Sequence, residues 1–258
     1  MANTLFIGKV YLQFDELPST NDYALELLAK SKPPEGTAIR AASQSAGRGQ
    51  FGSRWDSQPG KNLLISIVLY PGWLPATDQF RLSEVAALAV WETITAALDI
   101  GTAVKQFPKV RIKWPNDLCI GTRKVGGILI QNTIKGMWLE SSVIGIGLNI
   151  NQLEFPESLP NATSLALASG LNLDPDHVAE QLFTCLERRY LQLKQGHSEI
   201  INAHYHAQLL GLGAVRTFAR ADGTRFQGII RGVASDGHLL LEGPNGMEQF
   251  TVKSVRML

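Results

Sequence analysis

The chain has 258 residues, 45% of them apolar, and a formal net charge of +1 at pH 7. That length and composition provide for one large domain, or one large and one small, with a sizeable core. The near-neutral charge argues against a general nucleic-acid or membrane-surface protein, which carries a marked basic excess. Two cysteines, Cys119 and Cys185, are too few and too far apart for a disulfide scaffold or metal knuckle, and their apolar neighbours mark them as buried free thiols. No run reaches the ~18–20 apolar residues of a membrane span, and no basic-then-apolar leader opens the chain, so a cytoplasmic protein is expected.

Lys9 to Phe14 alternates apolar and polar residues and predicts a short strand. A helix follows over Tyr23 to Ala29, with Ser19 or Thr20 as its cap. Its N-terminus also offers N–H groups to a polar ligand. Lys32-Pro33-Pro34-Glu35-Gly36 breaks the helix. Thr37 to Ala42 is a strand that delivers the glycine-rich loop Gln44 to Trp55. Asn62 to Leu69 is nearly all apolar, as expected deep in a sheet. Gln79 to Leu98 has helical spacing, with Leu82, Val85, Ala86, Ala89, Val90 and Ile94 on one stripe that is read as core packing.

Val110 to Trp114 has period two, placing Arg111 and Lys113 opposite the apolar Val110, Ile112 and Trp114. Pro115-Asn116-Asp117 ends that strand. Leu118-Cys119-Ile120, a turn at Gly121-Thr122 and Val125 to Gln131 make a hairpin. Trp138 to Ile150 is a further strand in which Gly145 and Gly147 alternate with Ile146 and Leu148. Trp114 and Trp138 are read as core residues. Asp176 to Leu193 and Ser198 to Leu210 are helices, and their histidines show no metal spacing. The composition changes at Gly211-Leu212-Gly213. Four short strands follow, over Ala214–Ala219, Phe226–Val233, His238–Glu242 and Glu248–Val255, with Gly-containing turns between them. They predict a small β-barrel of roughly 45 residues, packed on the larger domain because it is too small to be stable alone with much margin.

Two polar motifs interrupt this apolar framework. Gln44-Ser45-Ala46-Gly47-Arg48-Gly49-Gln50-Phe51-Gly52-Ser53-Arg54-Trp55 carries three glycines, whose backbone turns tightly and exposes N–H groups, and two arginines that offer cationic forks to phosphate or carboxylate. Alone, such a loop also reads as a solvated surface loop. The second motif, Lys113-Trp114-Pro115-Asn116-Asp117, sits at the end of an apolar strand, and Lys124-Val125-Gly126-Gly127 puts a cation beside glycines that admit a close ligand.

Taken with Ser19-Thr20-Asn21 and Gly145-Ile146-Gly147-Leu148-Asn149, these motifs resemble the biotin protein ligases (biotin–[acetyl-CoA-carboxylase] ligases), in the family's order and over almost the whole chain. The resemblance implies an α/β (α+β) fold: a catalytic domain over 1–211 with a mixed sheet and helices, and a small SH3-like β-barrel over 212–258. It implies a two-step reaction in which biotin and ATP give biotinyl-5′-AMP and pyrophosphate. A lysine of the biotin carboxyl carrier protein of acetyl-CoA carboxylase then takes the biotinyl group and AMP leaves. Bringing two anions together calls for cations, and Mg²⁺ is expected with the ATP rather than at a fixed protein site.

Carried over residue by residue, Lys113 and Arg48 are the catalytic candidates, with Lys113 stabilising charge on the transferred phosphate and carboxylate. Ser19, Thr20, Asn21, Gln44, Arg48, Gly49, Gln50, Lys124 and Gly127 are the biotin-binding candidates. Arg48, Trp55, Lys113, Asn116, Lys124 and Asn149 are candidates for ATP or adenylate. Asp117 is a candidate to orient Lys113 or to take a proton from the acceptor amine. Phe51 is a lid or a loop anchor, and Lys253 a strand lysine that either reaches the site or is solvated.

Two departures from the family pattern stand out. Many members read Arg-Gly-Arg where this loop reads Arg48-Gly49-Gln50, which implies a looser hold on the adenylate unless Arg54 compensates. Eighteen residues precede Ser19, too few for the N-terminal winged helix-turn-helix of the repressor forms, so no nucleic-acid partner is expected. A homodimer is compatible with the pattern. The alternatives are a lipoate ligase or octanoyl transferase, which would recognise an acyl chain, and a non-catalytic biotin-binding regulator.

Overall fold

The computed structural model describes residues 3–99 and 108–258. In chain order its elements are β1 (Tyr11–Leu17), α1 (Thr20–Lys30), β2 (Ala38–Gln44), β3 (Asn62–Leu69), α2 (Phe80–Asp99), β4 (Val110–Lys113), β5 (Asp117–Ile120), β6 (Arg123–Lys135) and β7 (Trp138–Asn149). They continue with α3 (Leu165–Ser169), α4 (Pro175–Lys194), α5 (Ser198–Ala207) and the strands β8 (Val215–Arg220), β9 (Arg225–Val233), β10 (Leu239–Gly243), β11 (Gly246–Phe250) and β12 (Val255–Met257).

The first seven strands form one mixed sheet in the order β1-β2-β3-β7-β6-β5-β4, parallel only between β1 and β2. Every residue of β3 is buried, because both faces of this central strand are covered. On one face Leu63, Ile65, Ile67 and Leu69 join the stripe of α2, with α4 and α5 behind it, and every stripe residue read from the sequence is buried. On the other face Val68 packs with Ala24 of α1, Ile39, Ala41 and Val143. Ser66 shares that second face by the strand's period of two. Ser19 caps α1, accepting from the Asp22 N–H at 3.3 Å, and Asp22 adds a favourable charge at the helix start. The remaining strands make the second, antiparallel sheet, ordered β11-β10-β9-β8-β12. Among the described residues no helix is long and apolar enough to cross a membrane.

The N-terminal segment is tied down by an anion. The Glu187 carboxylate of α4 accepts the backbone N–H groups of Leu5, Phe6 and Ile7 at 2.6, 2.8 and 2.9 Å.

Beyond shifts of a few residues at element ends, such as α5 stopping at Ala207, four departures from the sequence expectation have a physical reason. β1 runs on to Leu17 because its ladder with β2 continues to the pair Leu17–Gln44. The last expected strand, Glu248 to Val255, is two strands: Lys253 adopts φ 68°, and the Ser254 hydroxyl donates to the Thr251 carbonyl at 2.7 Å, closing a turn between β11 and β12. The short α3, capped by Ser164, was not expected; five residues carry too little periodicity to register. Trp138, expected in the core, is 45% exposed because it starts β7 just past the hairpin turn.

Candidate active site

A cavity of about 330 Å³ opens where the glycine loop, the start of α1, the β4–β5 turn and strands β6 and β7 converge. Glycines clear its floor. Gly127 and Gly147 are register partners across β6 and β7, and the Trp55 indole lies against both: a Cβ at Gly147 would come within 2.4 Å of Trp55 Cε2, and one at Gly127 within 3.0 Å of Cζ3. Two residues along the same face, a Cβ at Gly145 would fall 2.0 Å from Asn21 Oδ1. The alternating glycines of β7 thus make room for two polar-tipped side chains on one side of the sheet.

One end of the cavity is a buried, neutral hydrogen-bond network. Thr20 N–H donates to Gln44 Oε1 at 2.7 Å. Ser66 Oγ lies 2.8 Å from Thr20 Oγ1 and 2.5 Å from Asn21 Oδ1. Asn21 Nδ2 donates to the Leu129 carbonyl at 3.2 Å and to Gln131 Oε1 at 3.1 Å. Asn21, a candidate ligand contact, therefore has both ends of its amide engaged inside the protein.

The other end is cationic and more open. Lys124 Nζ is 2.6 Å from Asp117 Oδ1 and 5.4 Å from the Trp55 ring centroid. Arg48 pairs with Asp22 of α1. The loop is folded on itself: Gly49 N–H donates to Ser53 O at 2.7 Å, Trp55 N–H to Gly47 O at 3.0 Å, and Arg54 Nη2 to Ser45 O at 2.7 Å. Phe51 at its tip is 61% exposed, and Lys253 Nζ stands 4.5 Å from its ring centroid. The Trp55 indole N–H is buried with no protein acceptor.

A second cavity, about 630 Å³, adjoins the first through Pro115, Asp117, Val252 and Lys253. It lies between the β4–β5 turn and the small sheet and is lined by Lys113, Arg220, Arg225, Lys253 and Arg256. Arg220 is held by both oxygens of Glu248, at 2.8 and 2.9 Å. Beneath the turn, burial pushes the Cys119 thiol up to about 11, with the Asp117 charge adding to the effect, so it stays a protonated, inert thiol.

Of the residues singled out from the sequence, Ser19, Thr20, Asn21, Gln44, Arg48, Gly49, Gln50, Trp55, Asn116, Asp117, Lys124 and Gly127 all line the first cavity. Lys113 instead faces the second. Asp117, read as a partner for Lys113, directs its carboxylate to Lys124. Asn116 anchors the turn: its amide donates to Ile128 O at 2.8 Å, and Ile128 N–H returns a bond to Asn116 O at 3.0 Å. Asn149 lines neither cavity. Its amide donates to Thr163 O at 3.0 Å, and Thr163 N–H donates to the Lys124 carbonyl at 2.8 Å, so it supports the segment that carries Lys124.

Sequence reading passed over Ser66, Gln131 and the pairing of Asp22 with Arg48. Ser66 had a signal, as the sole polar residue between Leu63 and Leu69. Gln131 had none beyond its place two residues after Leu129.

Residues 13–149 match the Biotin/lipoate A/B protein ligase family. The chain is 35% identical, over 95% of its length, to the bifunctional ligase/repressor BirA of Bacillus spizizenii, of which it covers 73%. It is 33% identical, over 89% of its length, to the biotin–[acetyl-CoA-carboxylase] ligase of Paracoccus denitrificans, covering 93% of that protein. The solved biotin protein ligase from Aquifex aeolicus, in complex with biotin and ATP, superposes with a TM-score of 0.79 over 97% of this chain and 99% of that one; at 24% identity this shows the fold.

Proposed function

Because the chain belongs to the biotin/lipoate A/B protein ligase family and is a ligase, we propose that it joins biotin to a carrier protein in two ATP-dependent steps at the first cavity. In the first, a biotin carboxylate oxygen attacks the α-phosphorus of ATP; the bond from that phosphorus to the bridging oxygen breaks, and pyrophosphate leaves. In the second, the neutral ε-amine of a lysine on a biotin carboxyl carrier protein attacks the acyl carbon of biotinyl-5′-AMP, loses a proton, and AMP leaves.

The observation that carries this reading is the polarity of the cavity along its length. The buried neutral end suits a ureido head group, which wants a few placed donors and acceptors in a mostly apolar pocket. The open end suits a reaction between anions. Lys124 there is the cation placed to stabilise charge on the carboxylate and α-phosphate, and Asp117 orients it. Arg48 is bound to Asp22 by a half-exposed ion pair (side chains 47% and 38% exposed). Such pairs contribute about 0–1 kcal/mol, so the arginine can exchange Asp22 for a ligand anion at little cost. Lys113 and its neighbours in the second cavity hold the outgoing pyrophosphate, which assigns to 212–258, as a small C-terminal unit, a share in ATP binding. Among the described residues Asp117 is the one carboxylate lining either cavity, and no three His, Cys, Asp or Glu side chains gather to hold a metal ion. Mg²⁺ is proposed to arrive on the nucleotide, where it offsets phosphate charge.

Biotin-dependent exchange of labelled pyrophosphate into ATP tests the first step. The expected result is exchange with biotin that collapses in Lys124→Ala and falls in Lys113→Ala. Exchange supported by lipoate or octanoate but not biotin would transfer the chain to the other branch of its family.

A further inference from the structure

We infer that Ser66, acting with Asn21 and Gln131, fixes the direction of the Thr20 hydroxyl so that the cavity presents a hydrogen-bond acceptor there, and so selects a head group that carries an N–H. The inference rests on the biotin reading above and adds Ser66 and Gln131, which line neither cavity, as positioning residues.

Each hydrogen bond here needs one proton, and the groups that can only accept fix where it comes from. The Leu129 carbonyl can only accept, so the Asn21 atom facing it at 3.2 Å is the NH₂ group, which also donates to Gln131 Oε1. The Asn21 amide is therefore not free to flip, and the atom 2.5 Å from Ser66 Oγ is its oxygen. An amide oxygen only accepts, so Ser66 spends its single proton on it. The 2.8 Å contact between Ser66 Oγ and Thr20 Oγ1 still needs one proton, and only Thr20 can supply it. Thr20 is thereby left with lone pairs alone for the cavity it lines.

The neighbouring groups take the opposite sense. Gln44 Oε1 is committed to Thr20 N–H, which leaves its NH₂ as the free end. Ser19 Oγ accepts from Asp22 N–H and keeps its own proton to give. Two donors and one acceptor suit one carbonyl, which takes both donors on its two lone pairs, and one ring N–H of a cyclic urea, which donates to Thr20. A dithiolane offers neither. Ser66 and Asn21 are 0% and 4% exposed, so water does not compete to scramble the proton order.

The test uses biotin and two cyclic carbamate analogues, each with one ring N–H replaced by oxygen, bound to wild type, Ser66→Ala and Ser66→Cys and followed by calorimetry. Wild type is expected to bind biotin and to reject one of the two carbamates by about 100-fold or more, because acceptor then faces acceptor. In both variants the Thr20 hydroxyl is released to turn and donate, and that ratio is expected to narrow at least tenfold. Ser66→Cys preserves volume should the alanine variant unfold. A wild-type protein that binds both carbamates as tightly as biotin overturns the inference without any variant. So do variants that weaken all three ligands in equal proportion, the mark of a merely structural role. Failure of wild type to bind biotin at all would instead refute the parent reading.

Discussion

The two ends of the first cavity are built from opposite materials. At the α1 end, Thr20, Asn21 and Ser66 are buried, uncharged and bonded to one another before any ligand arrives. At the loop end, Arg48, Lys124 and Lys253 are charged, partly exposed and held by one or two contacts each. Buried polar groups must be fully satisfied, which makes their geometry rigid and their donor pattern definite. Exposed ion pairs are individually weak and exchangeable. On the proposed reading, recognition falls where the fold is stiff, and the charge needed for chemistry where partners can be swapped.

Substitutions at the two ends sharpen this contrast because they should fail differently. The largest effect is expected for Lys124→Ala. Removing a preorganised charge from a reacting centre costs about 10²–10³ in rate, so kcat/KM for biotinylation should drop by that order. The Lys124 side chain is 40% exposed and its pair with Asp117 is a surface pair, so Tm should hardly move. A large Tm loss with a small rate loss would reverse the assignment of the two ends.

Gly145→Ala should do the converse. Its new Cβ lands 2.0 Å from Asn21 Oδ1, inside a network with no slack, and overpacking of this kind costs about 1–3 kcal/mol. Thermal unfolding should shift down by several degrees and biotin affinity should fall at least tenfold. An unchanged Tm would show that the α1 end is softer than its hydrogen bonds imply.

Gln50→Arg restores a charge at the loop end, where Gln50 lines the first cavity and Arg54 is already engaged with the Ser45 carbonyl. Release of biotinyl-AMP should slow about three- to tenfold at low salt, and the difference should shrink as salt screens the added charge. Equal release rates in the two proteins would remove Gln50 from the account.

The contrast also explains what was legible in the sequence. The framework was readable because burial forces a pattern: β3 is an unbroken apolar run, and the α2 stripe recurs at helical spacing. The loop and the Lys-Trp-Pro-Asn-Asp motif were readable because charge and glycine interrupt that pattern. Pairings across distant segments were not. That Asp117 meets Lys124 rather than Lys113 depends on how β6 comes back beside β5. That Asn149 supports Lys124 from behind depends on the 161–163 segment lying between them. Neither is encoded in local periodicity. The left-handed turn at Lys253 was missed because lysine seldom adopts that conformation, and nothing in Glu248 to Val255 marks the break.

That turn motivates the smallest expected effect. Phe51 and Lys253 are the two non-glycine residues with positive φ among the described residues, at 54° and 68°. They face each other, one at the tip of the glycine loop and one in the turn between β11 and β12. Each such conformation costs on the order of 1 kcal/mol or more and persists only where its surroundings impose it. An exposed cation–π contact returns about 0.5–1 kcal/mol, so the contact and the strain are of similar size, and Lys253→Gly set beside Phe51→Ala separates them. Glycine relieves the backbone of the small sheet while releasing Phe51, so Tm should hold or rise slightly. Proteolytic cleavage within the loop should meanwhile accelerate about two- to fivefold. Phe51→Ala should accelerate cleavage similarly while leaving the turn at Lys253 strained, hence without the gain in Tm. Were Lys253→Gly to leave loop cleavage unchanged, the small sheet would have no hold on the loop, and the open end of the cavity would be governed by Arg48, Lys124 and their carboxylates alone.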